Sequence, residues 1–489
     1  MATDPIDVVA RAKEKYDLLV LGSGPAGIAA AFQSSKLGKK VAIIEKTPSR
    51  IGGAWIHTGT IPSKTLREVC ASIHGIRSHV GDHWVERLVN NLSSTRLIGR
   101  ASEVCREEEE LIRRHLSNNN ITIFEGLGRI EDRNSIRVVP AAAEPYLIKA
   151  EHILIATGSR PRRPLSFPFD GWRVVDSDEI LRIENIPRRI LIFGAGVIGC
   201  EYACIFGALG VETVIVDARS RIMQSVDLEI AEALKKSMED LGIHFKMGAQ
   251  LKHLDVSGPH PIADFGDEKI STDVFFFAAG RESVTQHIGL DRVGIGLNDR
   301  GAIVVNDYFQ TVVPNIYAAG DVIGAPALAA TSTEQGRCAA SHAFGAKRKF
   351  PKVYPVGVYT IPELSTVGKT EEECKEEGID YVVGRSSYSE VARGYIRGDS
   401  HGLLKIIADR KTLQIIGLHI LGSDACNLIH IGQVVMLSGM HLNGMINSVI
   451  FNYPTLAEAY RVAAFNALNK VFPGGVFQDP ETDVDMVAA

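Results

Sequence analysis

Two stretches of the chain repeat one pattern of apolar and polar positions. The stretch DLLVLGSGPAGIAAAFQSSKLGKKVAIIEK begins at Asp17, and RILIFGAGVIGCEYACIFGALGVETVIVDA begins at Arg189. Each has an apolar run of strand length, a glycine-rich turn, a stretch of helical length, and a second apolar run that ends in an acid. Short apolar runs bounded by glycines are typical of strands buried on both faces of a parallel sheet. The repeat therefore predicts two βαβ units.

Each unit carries the motif GxGxxG at its first turn, beginning at Gly22 and at Gly194. The acid that closes the unit follows 23 residues later in both, as Glu45 and Asp217. The first glycine permits a tight turn, the second lets the backbone approach a pyrophosphate, and the third lets the helix pack on its strand. The helix N-terminus favours phosphates, and the acid accepts hydrogen bonds from ribose hydroxyls. Two dinucleotide sites are therefore predicted, with ligand-free glycine turns as the alternative. The second and third glycines are Gly24, Gly27, Gly196 and Gly199.

Composition and charge narrow the class of protein. The 489 residues suggest two to four domains, and the net charge of −5 gives no reason to expect nucleic acid as a partner. The chain has no apolar run of membrane-spanning length and no secretory signal, so we expect a cytoplasmic protein that is not held in a membrane. The seven cysteines form no CxxC pair. Cys200 and Cys204 lie one helical turn apart, but no further ligand is near, so no metal site is expected.

Two later runs add to the pattern of the repeats and complete a resemblance to a known class of protein. ILIATG ends at Gly158, and IYAAGDV carries Asp321 at the end of a strand. Together with the two repeats, they resemble the FAD- and NAD(P)-dependent pyridine nucleotide-disulfide oxidoreductases, from about Tyr16 to about Phe472. The resemblance implies that the first unit binds FAD and the second binds NAD(H) or NADP(H). It also implies that Asp321 contacts the ribityl chain of the flavin, and that Gly280–Arg281 closes the inserted NAD domain.

The resemblance implies an α/β fold of the glutathione-reductase type. It has two Rossmann-like FAD/NAD(P)-binding domains and an α+β C-terminal dimerisation domain. The implied order is a first part of the FAD domain at 1–165, the NAD(P) domain at 166–285, a central second part of the FAD domain at 286–350, and the interface domain at 351–489. Residues 70–120 are expected to be mostly helical, and the tail after Pro473 is expected to be poorly ordered. A homodimer is expected.

Two departures from the family pattern indicate a changed reaction. In the disulfide reductases, the segment that matches residues 52–64, GGAWIHTGTIPSK, carries two cysteines beside the flavin; here Trp55 and Thr60 occupy those positions. The family's C-terminal HxHPTxxE motif supplies a histidine that acts as acid–base catalyst for the thiols, and here Tyr453 stands in its place. A thiol relay needs a proton shuttle, whereas hydride transfer between flavin and nicotinamide does not. The two losses therefore explain each other.

The residues that serve the exchange between flavin and nicotinamide are still present. Lys64 resembles the lysine beside the reactive nitrogen of the flavin ring, and Glu201 resembles its acidic partner. A fixed cation there stabilises negative charge that develops on a reduced flavin. The alternative is that both are ordinary surface charges.

Several longer runs are similar to the soluble, FAD-containing (Si-specific) NAD(P)⁺ transhydrogenases. They include HTGTIPSK, GAGVIGCEYACIF, GDVIGAPALA and FNYPTLAEAYRVAAFNALN. These relatives also have threonine at the second cysteine position, but they generally keep a cysteine where this chain has Trp55. The resemblance implies hydride transfer between NADPH and NAD⁺ by ping-pong kinetics, because only one site remains for two nicotinamide nucleotides. Two alternatives stay open: an NAD(P)H dehydrogenase that reduces a quinone or another small acceptor, and a flavoprotein redox sensor without turnover.

The second unit has mixed signals for nucleotide specificity. Asp217 suits NAD(H), because it can bind both ribose hydroxyls and repels a 2′-phosphate. Arg219 and Arg221 follow it and can attract that phosphate. We therefore predict that the site accepts both nucleotides, and the alternative is that both arginines only cover the surface. His430, in the apolar run LIHIGQ, is predicted to pack in the core. The remaining cofactor-binding candidates are Pro25, Ala26, Lys46, Gly53, Gly126, Thr157, Val197 and Ile198.

Overall fold

The computed structural model describes residues 11–81, 94–399 and 401–473. In chain order its helices are α1 Pro25–Lys36, α2 Ala54–His57, α3 Thr60–Val80, α4 Ser94–Asn118, α5 Val197–Ala208, α6 Leu228–Asp240, α7 Ala329–Ala343, α8 Glu371–Glu376, α9 Ala392–Arg397, α10 Ala425–Ser438, α11 Leu442–Ser448 and α12 Glu458–Val471. Its strands are β1 Lys15–Leu21, β2 Val41–Glu45, β3 Thr122–Glu125, β4 Leu127–Asp132, β5 Ser135–Val139, β6 Tyr146–Ile155, β7 Ser159–Pro161, β8 Val174–Val175, β9 Arg189–Phe193, β10 Glu212–Asp217, β11 Ile243–Met247, β12 His253–Asp255, β13 Ile262–Asp264, β14 Lys269–Ser271, β15 Val274–Phe277, β16 Arg281–Ser283, β17 Ile316–Ala318, β18 Val356–Val358, β19 Leu364–Gly368, β20 Tyr381–Ser387, β21 Leu403–Asp409 and β22 Ile415–Leu421.

The first sheet is built around the apolar run at the start of the first repeat. Its strand order is β3–β2–β1–β6–β5–β4, and β17 pairs with β6. Strand β1 lies parallel to both β2 and β6, with Leu18 opposite Val41 on one side and His152 on the other. Leu19 and Val20 have no exposed surface, because helices and loops cover both faces of the strand.

The second sheet repeats this arrangement with the second copy of the motif. Its order is β11–β10–β9–β15–β8, and all four pairings are parallel. Strand β9 holds the position that β1 holds in the first sheet. A short antiparallel pairing of β7 with β16, with Ser159 opposite Ser283, joins the two segments that connect the sheets. Strands β12, β13 and β14 form a small antiparallel sheet.

The C-terminal part of the chain forms an antiparallel sheet of order β18–β19–β22–β21–β20. Helices α10 and α12 pack against it, and their apolar residues share one buried cluster with the strands. The predicted α/β fold class with two Rossmann-like units and an α+β C-terminal unit is therefore confirmed. The domain limits after 165, 285 and 350 stay predictions.

Two predictions about local structure have different outcomes. The segment predicted to be mostly helical is helical at residues 70–80 and 94–118, whereas 82–93 and the tail from 474 onward lie outside the described residues. The prediction that His430 packs in the core is wrong, because its residue is exposed and its Nδ1 pairs with Gln433 at 2.9 Å. In α10, His430 shares a helical face with Val434 and Leu437, whose side chains are 64% and 63% exposed.

A buried ion cluster fixes the second sheet's unit to the C-terminal sheet. Lys405 of β21 is 1% exposed, and its Nζ lies 2.7 and 2.9 Å from the two carboxylate oxygens of Asp227. Asp227 has no exposed surface and caps the N-terminus of α6. Glu229 and Glu371 lie 2.9 and 2.5 Å from the same ammonium. Burial disfavours charge on Asp227, but Lys405 outweighs it and holds the pKa of this carboxyl below its usual value.

Replacing Lys405 by methionine is expected to destabilise the protein by about 3–5 kcal/mol, because Asp227 would keep its burial and lose its cation. Since the folded-state pKa of Asp227 is depressed, the stabilisation is present above about pH 4 and is lost as the pH falls through that pKa. The measurement is the thermal unfolding midpoint against pH, with Lys236→Met on the exposed face of α6 as the control. Equal midpoints for the two variants would contradict the expectation.

Candidate active site

The first and third glycines of the two turns lie where a side chain could not fit. Gly22 and Gly194 have φ angles of +100° and +119°, in the left-handed region that favours glycine. A Cβ atom at Gly27 would lie 2.1 Å from the carbonyl oxygen of Gly22, and one at Gly199 would lie 1.9 Å from that of Gly194. In both units the third glycine therefore lets the helix start directly against the turn.

The middle glycine of each turn faces open space. Gly24 and Gly196 have ordinary φ angles of −70° and −83°, and a Cβ atom at either would meet no atom within 4 Å. They cap α1 and α5, which begin with Pro25–Ala26 and Val197–Ile198, and within the described residues neither helix has a side-chain hydrogen bond from its N-cap residue. An open cradle at an uncapped helix N-terminus fits a pyrophosphate group.

The acid at the end of the second strand binds the turn in both units. Glu45 accepts hydrogen bonds from the backbone N–H of Ser23 at 3.0 Å and from its hydroxyl at 2.6 Å. Asp217 accepts from the backbone N–H of Ala195 at 2.7 Å. Around Glu45, the exposed Lys46 follows β2, and the N–H of Gly126 donates to the carbonyl of Glu45 at 2.9 Å. Ser23 was missed from the sequence, although its position between two motif glycines marks it.

The two arginines after Asp217 have different surroundings. The Arg219 guanidinium donates to both carboxylate oxygens of Asp217, at 2.9 and 2.5 Å, and its backbone N–H donates as well. Burial opposes charge on Asp217, but these donors outweigh it and keep the pKa of the carboxyl below its usual value. Arg221 instead donates to the carbonyl of Gln224 at 2.5 Å. Arg219 therefore partly neutralises Asp217, the acid that would repel a 2′-phosphate.

The segment at 52–64 packs against the first glycine turn. Gly53 has a φ of +73°, and a Cβ atom there would lie 3.1 Å from the Cα of Gly24. Thr60 is the first residue of α3. Trp55, in α2, packs against the apolar cluster of the first unit, and its buried Nε1 has no hydrogen-bond partner among the residues that the structure describes. The seven cysteines of the chain all lie outside this segment and are free.

Lys64 and Glu201 form an ion pair between the two units. The Nζ atom of Lys64 lies 2.7 Å from a carboxylate oxygen of Glu201, and the side chains are 23% and 6% exposed. The other oxygen of Glu201 accepts the backbone N–H of Tyr359 at 2.8 Å, and Lys64 lies 5.1 Å from the centre of the Tyr359 ring. Burial raises the pKa of the Tyr359 phenol to about 12, so it stays neutral. The alternative, that both are ordinary surface charges, fails for Glu201, which is buried.

Asp321 belongs to a chain of hydrogen bonds that spans the connection between the sheets. Its carboxylate accepts the Ser159 hydroxyl at 2.6 Å, and Arg281 Nε donates to Ser159 Oγ at 2.9 Å. Arg281 also donates to Ser177 at 3.2 Å. Ser159 and Ser177 were missed because nothing local in the sequence marks them. In the same region, Thr157 Oγ1 donates to the Val284 carbonyl, and Gly158 and Gly280 have φ angles of +72° and +108°.

The structure keeps Tyr453 apart from the Lys64–Glu201 pair within one chain. Its side chain is 69% exposed on the segment before α12, and no hydrogen bond or ion pair joins it to Lys64 or Glu201 in the part of the chain that the structure describes. Glu458, the first residue of α12, is buried and accepts from Arg461 at 3.2 Å. Among the described helices, none is both long and apolar enough to cross a membrane.

Comparison with solved structures identifies the same architecture elsewhere. A chain of the HOCl-induced flavoprotein disulfide reductase RclA from Escherichia coli superposes with a TM-score of 0.83, at 28% identity, and covers 92% of this chain and 99% of its own. LpdA from Mycobacterium tuberculosis has a TM-score of 0.85 at 24% identity, over 92% of this chain and 99% of its own. At 24% identity, the likeness to LpdA shows a shared fold and nothing further.

Comparison with curated proteins and family models goes further. A protein of Mycobacterium tuberculosis named soluble pyridine nucleotide transhydrogenase is 42% identical over 94% of this chain and 98% of its own length. A protein of the same name from Marinomonas is 39% identical over 94% and 99%. The model for pyridine nucleotide-disulphide oxidoreductases matches residues 16–336, and the model for their dimerisation domain matches 354–464. Membership implies binding of a flavin and a pyridine nucleotide. With its repeated dinucleotide turns and its dimerisation unit, this chain belongs to the pyridine nucleotide-disulphide oxidoreductase family.

Proposed function

We propose that this chain is a FAD-dependent enzyme that transfers a hydride between NADPH and NAD⁺ without a redox disulfide. The observation that carries the proposal is the Lys64–Glu201 pair, which is intact beside a segment whose two thiol positions hold Trp55 and Thr60. Relatives at 42% and 39% identity over nearly the whole chain are named soluble pyridine nucleotide transhydrogenases. This reaction suits an oxidoreductase that lacks the two thiols of the relay and keeps the Lys64–Glu201 pair.

Two separate sites of the chain are proposed to bind the flavin and the nicotinamide nucleotide. The turn at Gly22–Gly27, with Glu45 and Asp321, is proposed to hold FAD, and the turn at Gly194–Gly199, with Asp217, is proposed to hold the nicotinamide nucleotide. Bound FAD would supply hydride acceptance from one nicotinamide and donation to another. Because one nucleotide turn serves both substrates, NADP(H) must leave before NAD(H) enters, which predicts ping-pong kinetics.

The direct test is to reduce the FAD-loaded protein with NADPH in the absence of oxygen and then to add thio-NAD⁺. Sustained formation of thio-NADH over many turnovers, at a rate comparable to flavin reduction, would support the proposal. Flavin reduction without reoxidation by thio-NAD⁺ would contradict it. A quinone that restores turnover would then favour the NAD(P)H dehydrogenase. A long-lived reduced state with neither acceptor would favour the redox sensor.

The Asp217–Arg219 pair predicts how the second site admits both nucleotides. In an Arg219→Met variant, the carboxylate of Asp217 keeps its charge but loses its cation, so it should repel a 2′-phosphate. We expect kcat/KM for NADPH to fall by about 10- to 100-fold, because hydrogen bonds to charged groups contribute about 1.5–3 kcal/mol. The kcat/KM for NADH should change much less. The measurement is the ratio of the two kcat/KM values, and an equal fall for both would contradict the role in specificity.

We also propose that the enzyme acts as a cytoplasmic homodimer. The dimerisation model matches residues 354–464, and apolar side chains of this part of the chain are exposed in the single chain, with Val434, Leu437 and Ile450 at 64%, 63% and 97%. Burying such a face against a second copy would remove apolar surface from water. Light scattering coupled to gel filtration tests this proposal, and a monomeric mass at micromolar concentration would contradict it.

A further inference from the structure

Two positively charged side chains on one face of helix α3 contact two different parts of the molecule. Lys64 and Arg67 are three residues apart and therefore lie close together on the helix surface. Lys64 pairs with Glu201 of α5 in the second unit. Arg67 reaches the C-terminal unit, where its Nε and Nη2 donate to the carbonyl of Thr360 at 3.2 and 3.0 Å, and its Nη1 lies 3.2 Å from Glu363. The helix therefore joins these two units.

The contacts of the two cations meet in the segment 359–363. Glu201, which binds Lys64 through one oxygen, accepts the N–H of Tyr359 through the other. The next residue along the chain, Thr360, gives its carbonyl to Arg67. The contacts therefore form a closed ring that runs from Lys64 to Glu201, through the backbone at 359–360, and through Arg67 back to α3. A change in the position of this segment must move Glu201 or break its second hydrogen bond.

Burial makes the Arg67 contacts strong and specific. The Arg67 side chain is 9% exposed, and that of Glu363 is 12% exposed, so water screens their attraction only weakly. Three nitrogens of one planar guanidinium are used at once: two donate to the Thr360 carbonyl, and the third lies 3.2 Å from Glu363 and also donates to the exposed Glu68 at 2.8 Å. A lysine has a single nitrogen and cannot reproduce this fork. Removal of Arg67 would leave Glu363 buried without its cation.

Glu363 extends the connection to helix α10. Its carboxylate accepts the backbone N–H of Cys426 at 3.2 Å, in the first turn of α10, where a negative charge is favoured by the helix dipole. The same helix carries the exposed face of His430, Val434 and Leu437. Arg67 and Glu363 therefore link the flavin-side helix α3 with the helix that carries this exposed face.

We propose that Arg67 is a positioning residue that, together with Glu363, fixes the segment 359–363 and thereby sets the geometry of the Lys64–Glu201 pair. This inference rests on the proposed role of Lys64 in hydride transfer from the nicotinamide nucleotide. It assigns Arg67 no contact with substrate or cofactor. Its effect on the reaction is transmitted through Tyr359 and Glu201.

The first test is a double-mutant cycle on the FAD-loaded protein, with the rate of anaerobic flavin reduction by NADPH as the readout. Arg67→Met is expected to slow this rate by about 10- to 100-fold, the size of effect that a misplaced reacting geometry produces. In a Lys64→Met background the same substitution should slow it by less than about threefold, because the pair it positions is already absent. Equal effects in both backgrounds would overturn the proposal.

The second test is the hydrogen exchange of the Tyr359 amide in the FAD-loaded protein. Arg67→Met should speed this exchange, since it frees the segment that donates to Glu201, and Glu363→Gln should do so to a smaller extent. Arg100→Met is the matched control, because Arg100 is 56% exposed and pairs with Glu103 on the surface of α4. Unchanged exchange at Tyr359 in both site variants would overturn the proposal.

These readouts separate this proposal from the proposed function. The first uses NADPH alone and the second uses no nicotinamide nucleotide, so both give an answer even if thio-NAD⁺ fails to accept the hydride. If Arg67→Met does not fold, Glu363→Gln tests the same contact, because it keeps the volume of the side chain and removes its charge. Glu363→Gln is then expected to slow flavin reduction in the wild-type background and to leave the Lys64→Met rate within about threefold.

Discussion

Replacement of Lys64 by methionine is expected to slow flavin reduction by NADPH by about 10²- to 10³-fold, the range observed when one preorganised electrostatic donor is removed from an active site. The Nζ of Lys64 is held 2.7 Å from a carboxylate oxygen of Glu201, so the ion pair fixes its position. Methionine keeps most of the side-chain length and removes the charge. Bound FAD should remain, because Lys64 lies outside the glycine turn proposed to hold the pyrophosphate. The measurement is stopped-flow absorbance under anaerobic conditions.

The matched control for Lys64 is Lys246→Met, since Lys246 also holds carboxylates, those of Asp267 and Glu268, but on the surface of the second unit. In this control, NADPH is expected to reduce the flavin at the wild-type rate. Glu201→Gln should slow reduction less than Lys64→Met, because a glutamine oxygen can still accept the Tyr359 N–H. A Lys64→Met rate within threefold of wild type, with FAD bound, would show that the cation does not act on the hydride transfer.

Valine at Gly196 is expected to weaken NADPH binding by about 10- to 100-fold and to leave FAD bound. Overpacking costs about 1–3 kcal/mol, and each 1.4 kcal/mol is tenfold in affinity. The backbone at Gly196 suits any residue, and its missing Cβ would point into open space, so the empty fold should tolerate the change. Valine at Gly24 should have the opposite effect: it should abolish retention of FAD and leave the NADPH turn unchanged. The measurements are the flavin content after purification and the Kd for NADPH.

Gly199→Ala separates a role in binding from a role in folding. Its Cβ atom would meet the Gly194 carbonyl oxygen at 1.9 Å, so this variant should lower the thermal unfolding midpoint, whereas Gly196→Val should not. Loss of FAD from Gly196→Val, or loss of NADPH binding from Gly24→Val with FAD retained, would reverse the assignment of the two turns.

The repeated part of the fold could be predicted from sequence because its signals are local. The strands, glycines and terminal acid of one unit lie within about 30 residues, the length of a βαβ unit. The same spacing placed Glu45 and Asp217 at their turns. The pairing of Lys64 with Glu201 spans 137 positions, and only the resemblance to the family suggested it.

The contacts that sequence reasoning missed share a physical cause. Arg67 and Thr360 are 293 positions apart, and Tyr359 uses a backbone N–H that any residue type would offer. No periodicity or spacing encodes such contacts. His430 was placed wrongly because an apolar run normally indicates burial, whereas α10 leaves an apolar face of the single chain exposed. Burial in an assembly and burial in a core leave the same pattern in a sequence.

Two buried acids of the second unit, Glu201 and Asp227, hold it to the rest of the molecule and limit how it can move. Glu201 binds α3 and the backbone at Tyr359, whereas Asp227 binds Lys405. A hinge rotation of the whole unit would have to break at least one of these contacts and leave a buried charge without its partner, at a cost of several kcal/mol. We therefore expect nucleotide exchange to proceed through side-chain and loop motions on a rigid frame, and turnover to be fast compared with domain opening.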